Sequence, residues 1–285
     1  MKLDNIVVPT DFSETSINAL KFAAGIARKF GSHIHLTHVY QRPYMQTSYN
    51  GGLSAMIDED QHNNIKSEIV NQLRKIASAD WLNDVKVTGK LVPDKSASDL
   101  SEDITPDKYD LIIMGTEGMT GLIHGGLFDT TTERVIRLSQ VPVISVPAKV
   151  TECTVTKMLF ATDFSYNGAD IYKQLVDFAA ALGASIEVVV INTQENYATN
   201  RQANEHYQEL IAAAPDFKEV QLVIHNDESV LDGIRDLAEA HGANLIAMMT
   251  HGRRGFQHFL RGSIAEDISA TVEVPLLSFK AQKAN

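Results

Sequence analysis

Short aliphatic runs alternate along this chain with longer stretches of helical spacing. Ile6–Val8 is an apolar run stopped by Pro9, with Thr10 and Asp11 following. Ser13 then opens a stretch in which Ile17, Leu20, Ala24 and Ala27 keep helical intervals, and Gly31 is placed to cap its C-terminus. Ile34–Tyr40 reads as the next strand. The same alternation predicts a helix over Asn63–Ala77, a strand over Val85–Val92 and a helix from Ser96 to Ile104. A strand over Leu111–Met114, a loop from Gly115 to Phe128, a helix over Thr131–Leu138 and a strand over Val143–Val146 complete the first half. Connections this long suit parallel crossovers, not hairpins.

The pattern then runs a second time. IVVPTDFS at 6–13 returns as MLFATDFS at 158–165, and YDLIIMGTEG at 109–118 returns as ANLIAMMTHG at 243–252. ERVIRLSQVPVISVP at 133–147 returns as EDISATVEVPLLSFK at 266–280. Strands are expected at Lys157–Ala161, Ser185–Asn192, Val220–His225, Leu245–Met248 and Leu276–Phe279. Helices are expected at Ala169–Leu182, Ser229–His241 and Ile264–Ala270. Asp11 aligns with Asp163 and Val39 with Ile191 at an offset of 152, which falls to 134 later in the repeat. The first copy therefore carries 18 extra residues, and 41–60, with its Pro, Gly-Gly and Asn, is where most of them fall. The domains read as 1–148 and 157–285, with 149–156 as linker.

The fold class expected is α/β: two tandem doubly wound domains, each a five-stranded parallel open sheet with helices on both faces. Ligands of such sheets sit beyond the carboxyl ends of the strands, at a topological switch point. That rule gathers Thr10-Asp11, Val39-Tyr40 and Gly115–Gly118 around one crevice. In the second copy it gathers Thr162-Asp163, Ile191-Asn192 and Thr250–Gly252.

Composition narrows the partners. A net charge of −11 disfavours nucleic acid and anionic membranes, which need a basic face. A single cysteine, Cys153, rules out an intramolecular disulfide and a multi-thiolate metal site. No signal peptide and no run of about 20 apolar residues is seen, so a cytoplasmic protein is expected.

The candidate chemistry lies after the fourth strand of each copy. Glycine lets backbone amides approach a phosphate, and a helix N-terminus adds a favourable dipole. The second copy reads Met249-Thr250-His251-Gly252, nine residues, then Gly262-Ser263, with Arg253, Arg254 and Arg261 between. These motifs together resemble those of a tandem universal stress protein over nearly the whole chain. The resemblance implies a Rossmann-like core of the adenine nucleotide alpha hydrolase type. It also implies a phosphate motif G-x2-G-x9-G-[ST] and an Asp after the first strand. It assigns ribose and adenine to that Asp and to the end of the second strand.

Neither copy matches the motif fully. Met249 stands where the first glycine belongs in copy two. Copy one keeps Gly115 and Gly118, but Asp129-Thr130 stands at the G-[ST] position, and an aspartate there repels phosphate. The site residues so implied are Ala161, Thr162, Asp163, Ile191, Thr250, Gly252, Arg253, Gly262, Ser263 and Ile264 in copy two. In copy one they are Pro9, Thr10, Asp11, Val39, Gly115, Gly118 and Thr130. The ligand implied is ATP, ADP or AMP, with Mg²⁺ arriving with the nucleotide because no all-protein Mg²⁺ site is visible. No general base stands out, so slow ATP hydrolysis at most is expected.

Other readings stay open. Both loops could merely cap the sheet, and Asp11 and Asp163 could simply cap the helices that follow. His33, His35 and His62 raise the question of a zinc site, against the blander reading of histidines satisfied in place. A non-nucleotide interaction module is the alternative function. The apolar last strands, Val143–Val146 and Leu276–Phe279, resemble those through which such domains pair. They could join the two copies within the chain, and a leftover edge could build a homodimer.

Overall fold

The computed structural model describes residues 2–40, 59–93, 103–116, 131–164, 168–250, 268–269 and 271–280. The expected helix over 96–104 lies almost entirely outside them, as do both glycine loops and most of 264–270.

The strands are β1 Asn5–Pro9, β2 His33–Tyr40, β3 Lys86–Pro93, β4 Leu111–Thr116 and β5 Val143–Pro147. The second copy supplies β6 Lys157–Ala161, β7 Ser185–Asn192, β8 Val220–Asn226, β9 Leu245–Thr250 and β10 Leu276–Lys280. The helices are α1 Glu14–Phe30, α2 Glu59–Ala77, α3 Thr131–Leu138, α4 Ala169–Leu182, α5 Asn200–Ile211 and α6 Val230–His241.

All ten strands form one sheet in the order β3-β2-β1-β4-β5-β10-β9-β6-β7-β8. Within each copy every neighbouring pair is parallel. Among the described residues the single antiparallel pair is at the centre, where Leu276, Leu277 and Ser278 of β10 face Ser145, Ile144 and Val143 of β5. The Ser278 hydroxyl adds a 3.2 Å bond to the Val143 carbonyl.

Strands buried on both faces explain the unbroken aliphatic runs. One apolar cluster joins α1 and α4 to the sheet across both copies, and Phe30 stacks on Phe178 with centroids 5.7 Å apart. A second cluster covers the other face, with α3 and α6 upon it.

The helix ends follow local chemistry. Ser13 caps α1 by accepting from the Ser16 amide at 3.2 Å, and Gly31 closes it at φ 70°. Gly183 and Gly242 close α4 and α6 in the same left-handed conformation. α5 was not anticipated, although Thr199 and Gln202 form a capping box that the spelling T-x-x-Q announces. Among the described residues no helix is long and apolar enough to cross a membrane.

Candidate functional site

The carboxyl ends of β1, β2 and β4 meet in copy one as the crossover topology requires. Gly115 and Thr116 belong to β4 itself, not to a loop, because β5 pairs with the strand as far as Thr116 opposite Pro147. Thr250 likewise ends β9, opposite Lys280. Both strands therefore run two residues further than the sequence suggested. Gly118, Thr130, Gly252, Arg253, Gly262, Ser263 and Ile264 lie outside the described residues.

The turn after β1 is tightly bonded. The Thr10 amide donates to the Thr37 carbonyl at 2.8 Å, continuing the ladder beyond Pro9. The Thr10 hydroxyl accepts from the Phe12 amide at 3.0 Å and meets the Ser16 hydroxyl at 2.9 Å. Asp11 accepts from the Ser13 amide at 3.0 Å and the Ser13 hydroxyl at 2.5 Å. Ser13, not Asp11, is the helix cap, and Asp11 braces it. Burial opposes ionisation of Asp11, but the bonds from Ser13 and Ser16 outweigh it and hold the carboxyl below the usual range. It is a charged, exposed carboxylate at the crevice mouth.

Phe12 takes φ 69° and Phe164 takes φ 55°, the two non-glycine residues with positive φ among those described. A bulky residue there is strained by about 1 kcal/mol or more, and such strain gathers at functional turns. Phe12 stacks on His38 at 4.5 Å, and His38 Nδ1 donates to the Thr10 carbonyl at 2.7 Å. The repeated Asp-Phe pair was the sequence signal for this conserved turn geometry, but composition alone carries no dihedral angle.

Copy two repeats the two bonds made by the threonine of this turn. The Thr162 amide donates to the Val189 carbonyl at 3.0 Å, and the Thr162 hydroxyl accepts from the Phe164 amide at 3.0 Å. Ala161 and Ile191 are buried, whereas Thr162 and Asp163 are partly open. Gly168, which has no side chain, stands at the N-cap of α4. Asn192, at the end of β7, bonds the Ala198 amide and carbonyl at 2.9 and 3.1 Å and the Asn226 side chain at 3.2 Å. A short, fixed connection thus follows β7 where copy one has its long insertion.

The strand-end residues differ in packing. A Cβ on Gly115 would meet Thr15, whereas Met249 lies buried with its methyl 3.4 Å from where a Cβ of Gly168 would stand. Met249 therefore fills the space beneath the start of α4. The Thr250 hydroxyl donates to the Phe279 carbonyl at 3.3 Å, while the buried hydroxyl of its counterpart Thr116 has no hydrogen-bond partner.

The zinc idea fails on distance. His33 and His35 lie side by side at the start of β2, bonded to Thr88 at 2.7 Å and Asn5 at 3.0 Å. His62 touches Tyr40 at the other end of the same strand. Seven strand steps of about 3.3 Å separate those ends. Among the described residues no group of three metal-ligating side chains forms. Burial pushes both histidines below the ordinary value, aided by His35 and Lys86 for His33 and by Lys90 and Lys86 for His35.

A charged cluster missed in the sequence lies at the amino end of copy two. Glu187 is buried, and its carboxylate accepts from His241 Nδ1 at 2.6 Å and Gln221 at 2.8 Å, with Lys157 Nζ at 3.4 Å. Being opposite the strands' carboxyl ends, it anchors α6 and does not face the crevice.

The profile of the Universal stress protein family matches residues 2–147 and again 154–280. Universal stress protein Slr1230 of Synechocystis is 25% identical over 295 residues, spanning 98% of this chain and 100% of that protein. Universal stress protein MJ0531 of Methanocaldococcus jannaschii is 31% identical over 145 residues, 50% of this chain and 80% of the relative. The crystal structure of a universal stress protein from Archaeoglobus fulgidus superposes with TM-score 0.73 at 20% identity. It covers 98% of this chain and 99% of that one, a likeness of fold.

Proposed function

The chain belongs to the universal stress protein family, and on that premise we propose that its C-terminal half binds an adenine nucleotide as a stress-response switch. The observation that carries this is the edge formed by β6, β7 and β9. There Thr162-Asp163, Ile191-Asn192 and Thr250 end adjacent parallel strands on either side of the switch point. Thr250 leads directly into the segment holding Gly252, Gly262-Ser263 and three arginines, in a chain otherwise rich in acid. Glycine amides, a helix start and arginine charge are the donors a polyphosphate needs. Asp163 and the β7 end would meet ribose and base, and Mg²⁺ would come with the nucleotide. Hydrolysis would rest on positioning and charge and would be slow.

The N-terminal half keeps the turn at Thr10-Asp11, but Asp129 opposes phosphate at the position where copy two has Gly262. A second reading, an interaction module, draws on the sheet itself. β5 and β10 pair inside the chain, which leaves β3 and β8 as the outer edges. A homodimer formed through an outer edge belongs to that reading.

Native mass spectrometry of the freshly purified protein, with identification of released small molecules, tests both. One adenine nucleotide per chain, lost in Gly262→Asp and kept in Gly118→Ala, is expected. A chain that carries none and takes up none from millimolar Mg-ATP overturns the nucleotide reading.

A further inference from the structure

β8 closes one end of the sheet. On its inner side it pairs with β7, from Ile186 opposite Val220 to Asn192 opposite Asn226, with His225 beside Ile191. The Ile186 amide donates to the Glu219 carbonyl at one end of this ladder, and the Asp227 amide donates to the Asn192 carbonyl at the other. Along a parallel strand, alternate residues turn their backbone groups to the same side, so the odd-numbered residues of β8 bond inward. The amides and carbonyls of Val220, Leu222 and Ile224 therefore point away from the sheet. Among the described residues no strand pairs with them, and the Tyr207 hydroxyl donates to the Val220 carbonyl at 3.3 Å.

The two outer strands differ in how they meet water. β3 holds exposed Lys86 and Lys90, with Gly89 between them and Pro93 at its end. Lysine, glycine and proline each discourage the addition of a further strand. β8 reads VQLVIHN, with no lysine, glycine or proline and no acidic residue. Its Val220, Leu222, Val223 and Ile224 are half-buried, whereas Ile186 to Asn192 of neighbouring β7 are buried. An apolar edge with outward donors and acceptors is a template for another strand.

We propose that β8 pairs antiparallel with β8 of a second chain, about a two-fold axis at Leu222, and joins the two sheets into one. A two-fold axis perpendicular to the sheet keeps each side chain on its own face and makes the interface isologous. With Leu222 opposite itself, the outward amides and carbonyls meet in reciprocal pairs. Val220 then stands opposite Ile224 of the second chain, on the face where Val220 and Leu222 already pack against the core. On the other face Gln221 meets Val223 and Glu219 meets His225. A carboxylate thus faces an imidazole, and no like charges stand opposite each other across 218–226. Moving the axis to Val223 would set Glu219 opposite Asp227 of the second chain, a like-charge pair that costs stability. This match of the edge to itself favours a second chain over a foreign strand. The pairing goes beyond the nucleotide reading and does not depend on it.

Sedimentation velocity of the full chain from about 1 to about 200 µM, in about 0.15 M salt to screen its net charge of −11, tests this. The wild type is expected to pass from monomer to dimer over that range. Ile224→Lys plants on β8 the guard that β3 carries, at a residue outside both apolar clusters. It is expected to weaken the dimer about tenfold or more, because the two-fold axis repeats the lost pair with Val220. A wild type still monomeric at the top of the range overturns the inference and leaves the edge to a strand of another protein. A dimer of unchanged strength in Ile224→Lys overturns it too, since its interface lies elsewhere. Should Ile224→Lys fail to fold, amide exchange in the wild type decides. The Leu222 and Ile224 amides exchange more slowly at high than at low concentration if β8 pairs, and equal rates at both overturn the inference.

Discussion

The backbone of Thr15 runs so close to Gly115 that a Cβ on Gly115 would stand 2.8 Å from the Thr15 carbonyl oxygen and 2.6 Å from its Cγ2. Copy two fills the same place with a different pair. Met249 is the large residue on the strand, and Gly168, the counterpart of Ser16, is the small one on the helix side. Each copy closes the same gap between its fourth strand and its first helix with one small and one large partner.

The two sites should therefore respond to different degrees. Gly115→Ala meets a backbone oxygen that cannot rotate away, and should destabilise by about 1–3 kcal/mol. Gly168→Ala meets only the end of a flexible methionine at 3.4 Å and should cost less than about 1 kcal/mol. Urea unfolding of both variants checks this. Equal losses would show that the swap in size has no packing consequence.

Gly25 makes the same kind of contact with the linker. A Cβ there would lie 2.5 Å from Cys153 Cβ, and burial pushes the Cys153 thiol up to about 11. The thiol should react only slowly with a disulfide reagent at pH 8, because the thiolate is the nucleophile. Rapid labelling of the folded wild type at pH 8 would contradict this. Gly25→Ala should melt lower and label faster, because the linker must lift from α1.

Glu187 sets a pH dependence. Burial alone would raise its carboxyl, but hydrogen bonds from His241 and Gln221 and the charges of His241 and Lys157 bring it below the usual value. A depressed carboxyl stabilises the fold above the unfolded value of about 4.3, and the benefit fades as pH falls through the folded value. Glu187→Gln should cost about 1–3 kcal/mol at pH 6, and the gap to wild type should narrow at pH 3. Denaturant midpoints at both pH values give the answer. A gap of constant width would mean that the carboxylate charge does not matter.

The central ladder should couple the two copies. Leu277 faces Ile144, and both lie in the apolar cluster that spans α1 and α4. Leu277→Pro removes a ladder donor in a strand paired on both sides and should cost about 3 kcal/mol or more. Calorimetry should show one transition in the wild type. Two separated transitions in the wild type would show copies that unfold independently.

The alternation of aliphatic runs with helical spacing was enough to locate every described strand of each copy to within two residues. Strands buried on both faces must be continuously apolar, and glycine at a helix end must take positive φ, so Gly31, Gly183 and the runs at 6–8 and 158–161 were legible locally. α5 was also written locally, in Thr199 and Gln202, but passed unread because its apolar face is sparse.

What the sequence alone determined is the repeat, the α/β class and the place of each strand along the chain. Those properties follow from neighbours in the chain. Only the tertiary structure decided that β5 and β10 pair antiparallel in one ten-stranded sheet, and that His62 stands at the far end of β2 from His33 and His35. It alone set His225 beside Ile191 and turned Glu187 inward against His241. These depend on strand register and on packing between segments tens of residues apart. A local pattern of polar and apolar positions records which face of an element is buried, but not which partner buries it.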